Sequence, residues 1–92
     1  MPDQSLQERH LELLRAIDEA ARRDAAGVAT MYRACEGVGL DAVCKEADRE
    51  EFMRLVRELN EAGYVEVHGI TYMGLRASYS VTEEGRRRLE EP

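Results

Sequence analysis

Few residues in this 92-residue chain have the type and spacing for covalent chemistry. Glu83-Glu84 and Glu90-Glu91 are carboxylates paired in sequence only, not a general acid and base set across a cleft. No Ser, Cys or His stands in a recognisable nucleophile context, and no Gly-rich phosphate loop is present, so no enzyme is expected and no catalytic residue is assigned. Cys35 and Cys44 lie nine apart with no CxxC and only two His residues in the chain, which indicates neither a zinc site nor a disulfide framework. Two reduced, mostly buried thiols are expected, with a redox-sensing pair as the alternative. Neither His10 nor His68 has a sequence neighbour that singles it out, and no metal or cofactor is expected.

The cations say more. Twelve of the 13 are Arg and Lys45 is the one Lys, a bias that suits bidentate phosphate or carboxylate contacts or else reflects codon composition. Against them stand 19 acidic residues, giving a net charge of -6 and a pI of about 4.9. Residues 1–46 and 47–92 each carry a net -3, so there is no basic tail, and the charge argues against blanket attraction to nucleic acid or anionic lipid. Any anion-binding surface must be local.

The elements that position these side chains follow from periodicity. An apolar share of 43% beside 35% charged residues suits one globular domain over residues 1–92, ordered from about 5 to 91. Ser5-Leu6-Gln7-Glu8 has the form of a capping box, and Leu6, Leu13, Leu14, Ile17, Ala20 and Ala21 recur at helical spacing to about Arg23. In that reading Glu8, Arg9, Glu12, Arg15 and Asp18 take the wet face. Val28, Met31, Tyr32 and Cys35 predict a second helix ended by Gly37 and Gly39, and residues 42–47 a brief third. Asp48-Arg49-Glu50-Glu51 reads as another capping box, followed by Phe52, Leu55, Val56 and Leu59 at i, i+3, i+4, i+7. The positions opposite are Glu50, Arg54, Arg57 and Glu61. Gly63 should end that helix, with Tyr64 supplying the apolar contact of the cap. Alternation of Val65 and Val67, and of Ala77, Tyr79 and Val81, predicts an antiparallel hairpin with its tip near residues 70–76. Thr82 then caps a last helix over residues 83–91. Apolar stretches are short, and Met1-Pro2-Asp3-Gln4 lacks the features of a signal peptide, so a cytoplasmic protein with no membrane partner is expected.

The run from Phe52 through Gly63 to Val67 resembles the recognition helix and first wing strand of bacterial and archaeal winged helix-turn-helix regulators. Tyr79-Ser80-Val81-Thr82-Glu83-Glu84-Gly85-Arg86-Arg87-Arg88-Leu89 resembles their second wing strand and closing helix, where a hydrophobic-Thr-x-x-Gly-x-x-x-Leu pattern recurs. Regulators of the multiple-antibiotic-resistance and phenolic-acid types share both features. The stretch from Gly27 to Ala47 is longer than the compact helix and tight turn usual there. The resemblance implies a mainly α fold with a small β-hairpin, a three-helix core carrying a two-stranded wing and a C-terminal helix. It implies double-stranded DNA as partner, with the helix at about 49–62 in the major groove and the wing at about 64–81 on backbone or minor groove.

On that basis Arg54 and Arg57 are candidates for guanine edges or phosphates, and Arg49 and Lys45 for phosphates. Arg76 and His68 are the candidates on the wing. The same arginines also form i, i+4 pairs, Glu50 with Arg54, Arg54 with Glu58 and Arg57 with Glu61, which would lace an ordinary solvated helix. Residues 48–62 carry a net -2, so useful DNA affinity would call for a homodimer built on the first or last helix. The alternative partner is a protein, bound by this acidic face and by Tyr72, Met73 and Leu75 at the hairpin.

Overall fold

The computed structural model describes residues 7–41, 45–69 and 77–91. Helix α1 (Glu8–Arg23) is followed by a two-residue strand β1 (Ala29–Thr30), a short helix α2 (Met31–Glu36) and a long helix α3 (Glu46–Glu61). Strands β2 (Val65–His68) and β3 (Ser78–Val81) then lead into helix α4 (Glu83–Glu90). The three strands form one antiparallel sheet in the order β1-β3-β2, so β3 is central. The expected two-stranded hairpin therefore gains a third strand, with Ala29 opposite Tyr79 and Thr30 opposite Ser78. The hairpin register sets Val65 against Val81 and Val67 against Tyr79. This puts the alternating apolar residues on one face of the sheet, over the helices.

The core forms where the helical stripes meet that face. Leu13, Leu14 and Ile17 of α1, Met31 and Cys35 of α2, and Phe52, Leu55, Val56 and Leu59 of α3 are buried against Val65, Ala77, Tyr79 and Val81. Tyr79 lies at the centre with its ring edge-on to Phe52, centroids 5.4 Å apart at 76°. Burial, with a smaller contribution from Cys35, pushes the Tyr79 phenol up to about 12.

Several boundaries differ from the sequence expectation. α1 starts after Gln7, whose backbone N–H donates to His10 Nδ1. The expected Ser5 cap and Leu6 lie outside the described residues. Asp18, expected on the wet face, is buried, with Arg22 of its own helix at 3.1 Å and Arg86 of α4 at 3.8 Å. Tyr32, expected on the inner face of α2, is 54% exposed, and Ala34 is buried instead. α3 begins two residues before the expected cap. Asp48 lies in its first turn, and its carboxylate accepts a hydrogen bond from the Asp41 N–H at 2.8 Å. Of the expected short third helix, residues 42–44 lie outside the described residues, and Glu46 and Ala47 belong to α3.

The far end of α3 is as expected. Gly63 takes φ +84°, its N–H bonds to Asn60 C=O, and the Tyr64 N–H reaches back to Leu59 C=O, each at 3.0 Å. This double bond pattern closes a helix through a left-handed residue, where glycine has no Cβ to clash. Thr82 ties the same corner together. Its hydroxyl donates to Gly63 C=O at 2.6 Å and accepts from Gly85 N–H at 3.0 Å, while its own N–H bonds to Tyr64 C=O. A Cβ on Gly85 would overlap the Tyr64 carbonyl oxygen, so only glycine lets α4 approach this closely. Among the described residues no helix is long and apolar enough to cross a membrane.

Candidate nucleic-acid interface

α3 buries one side and leaves the other to solvent. On the outward side Glu46, Arg49, Glu50, Met53, Arg54 and Arg57 line a shallow depression of about 300 Å³. Three of the six sequence candidates, Arg49, Arg54 and Arg57, thus share one surface, with the half-buried Met53 among them. Lys45 is exposed one turn earlier, as the N-cap of the helix.

The three arginines are held differently. Arg49 is half-buried in the first turn. Arg54 is gripped by two carboxylates: Glu51 Oε1 accepts from its Nε at 3.2 Å and Nη2 at 2.7 Å, and Glu58 Oε1 accepts from Nη1 at 3.1 Å. The Glu51 hydrogen bond is the main cause that raises the Arg54 guanidinium above its ordinary value. Arg57 is exposed and makes no ion pair among the described residues. The expected Glu50–Arg54 pair is not formed, because Arg54 turns to Glu51 instead, and the expected Arg57–Glu61 pair is not formed either. The expected Arg54–Glu58 pair is present.

Behind Arg54 lies a residue that the sequence did not single out. His10 of α1 is 1% exposed, and its Nε2 sits 2.6 Å from the same Glu58 oxygen that receives Arg54. Its Nδ1 accepts the Gln7 N–H, so the ring proton is on Nε2 and is donated to Glu58. The His10 hydrogen bond first, and the Arg54 charge after it, hold the Glu58 carboxyl below the usual carboxylate range. A sequence signal existed: His10 continues the stripe of Leu13, Leu14, Ile17 and Ala21 back by one step.

Of the hairpin candidates only His68 is among the described residues, and it does not line this depression. His68 ends β2, exposed, with its Nε2 2.8 Å from Ser80 Oγ and 3.9 Å from Glu66. Arg76, and the apolar trio Tyr72, Met73 and Leu75, lie outside the described residues. Cys35 is a buried thiol, and Cys44 lies outside the described residues. No group of three or more His, Cys, Asp or Glu among the described residues could hold a metal ion.

The arrangement offers cationic donors and one thioether around a shallow depression on an outward helix face. It can grip phosphates or base edges, but it presents no nucleophile. Compared with protein-family models, curated proteins and solved structures, the chain matches none of them.

Proposed function

We propose that this chain is a winged helix-turn-helix domain that binds double-stranded DNA, with α3 in the major groove and the β2–β3 hairpin as the wing, and that it acts as a transcriptional regulator. The element order, with β1 pairing to β3 ahead of the α2–α3 pair, supports the fold reading. The observation that carries the function is the outward stripe of α3, where Arg49, Arg54 and Arg57 surround Met53 on a helix whose opposite side is buried in the core. Lys45 and Arg57 contact phosphates in this reading, and Arg54 faces a base edge. A helix with six acids against three arginines is a poor non-specific binder, so a second copy, joined through α1 or α4, supplies the remaining affinity.

The same charge balance favours a second reading, in which the stripe meets a protein. Salt separates the two. Fluorescence anisotropy on mixed-sequence duplexes, from low to physiological salt, should show wild-type binding that weakens steeply with salt. Arg57→Ala should lower the affinity and flatten the slope by about one phosphate contact, roughly 0.9 in log-log terms. Arg57 is exposed and makes no ion pair among the described residues, so its removal should leave the fold intact. No wild-type binding at low salt would remove the DNA reading. A pure monomer by light scattering at high concentration would remove the dimer.

A further inference from the structure

We infer that His10, buried on α1, is a positioning residue for Arg54 on the outward face of α3, acting through Glu58, and that this chain of contacts presents Arg54 to guanine. The inference rests on the DNA-binding reading above and adds what that surface selects. A guanidinium has five N–H donors. In Arg54 the Nε and Nη2 edge is closed by Glu51 and one Nη1 hydrogen is held by Glu58, which leaves one N–H on each terminal nitrogen. Two donors on one planar group match the O6 and N7 acceptors of guanine in the major groove.

The geometry gives His10 its part. Glu58 is half-exposed on α3 and, without a second anchor, would be free to swing with Arg54. His10 supplies that anchor from 48 residues away in sequence, and its own ring is fixed by the Gln7 N–H. One carboxylate oxygen therefore joins a side chain locked in the core to a side chain on the surface. A hydrogen bond to a fixed ring removes rotamer freedom from Glu58 and, through it, from Arg54, so less ordering remains to be done on binding.

The test compares affinities for a mixed-sequence duplex and for the same duplex with 7-deazaguanine in place of guanine, which removes the N7 acceptor and keeps the helix shape. Wild type should prefer guanine by roughly fivefold or more. Arg54→Ala should lower that ratio, and His10→Leu should lower it to the same value while salt-dependent binding persists. His10→Gln, whose amide can donate to Glu58 and accept from Gln7, should restore it. If His10→Leu does not fold, Glu58→Ala breaks the same link at a half-exposed site. It should raise affinity for both duplexes by removing a negative charge, yet drop the ratio to the Arg54→Ala value. A ratio that stays at the wild-type value in His10→Leu or Glu58→Ala, while Arg54→Ala lowers it, overturns the positioning role alone. A wild-type ratio of one overturns guanine reading by Arg54. Absence of any wild-type binding at low salt overturns the DNA reading, and the role falls with it.

Discussion

The two ends of α3 are built to different standards. At the C-terminal end Gly63 and Tyr64 close the helix, Asn60 Nδ2 donates to Val65 C=O at 2.8 Å, and Thr82 bonds to both Gly63 and Tyr64. Glu58, in the same stretch, fastens α3 to His10 of α1. At the N-terminal end Lys45 caps the helix without a side-chain hydrogen bond, and the Asp48 carboxylate and the Asp41 carbonyl supply the turn bonds. The difference teaches that α3 is tied at its C-terminal end to β2 and to the corner before α4, whereas its start is set by the backbone and by Asp48. A groove-binding helix that must keep a fixed angle to its wing needs the first kind of joint. An end that meets flexible phosphates tolerates the second.

The strongest way to break this comparison is at Gly85. An added Cβ meets the Tyr64 carbonyl, a backbone atom that cannot swing away, and also approaches Val81 Cγ1 at 2.7 Å. Gly85→Ala should destabilise by about 1–3 kcal/mol even after the ~1 kcal/mol gained in helix propensity, read as a lower urea midpoint. Thr82→Ala comes next. It removes a helix cap and the bond to Gly63 together and should cost about 1–2 kcal/mol, with Thr82→Ser recovering most of it. At the N-terminal end the sign reverses. Lys45→Ser supplies the absent cap and should add about 0.5–1 kcal/mol to stability while lowering the DNA salt slope by about one contact.

The smallest effect concerns pH. Because folding lowers the Glu58 pKa from 4.5, its contribution is fully present above 4.5 and is lost as pH falls through the lower folded value. Urea melts across that window should show wild type losing more stability on acidification than Glu58→Gln.

The sequence revealed elements whose signal is local and missed those made by tertiary contact. The inward stripe of α3, its glycine stop and the Thr82 cap were legible, since each depends on residues within about two helical turns. β1 was not. Two residues carry no period, and Ala29 and Thr30 are a strand only because β3 lies beside them. The start of α3 was misplaced because an acidic first turn imitates a capping box, and Asp48 spends its carboxylate on Asp41 instead. The outward arginines could be placed on a face, but not given their partners. Glu50 and Glu51 are both within reach of Arg54, and only the folded rotamer selects Glu51. The α1 stripe signals that His10 is buried, but not its role, because its partner Glu58 is 48 residues away in sequence.

The central claim is that the outward stripe of α3 and the hairpin beside it form the surface that meets DNA. Amide chemical shifts recorded while a mixed-sequence duplex is added test it most directly. The account predicts shifts along α3 at Lys45, Arg49, Met53, Arg54 and Arg57 and on β2 at His68. Shifts that spare α3 and β2, or none anywhere at low salt, would contradict it.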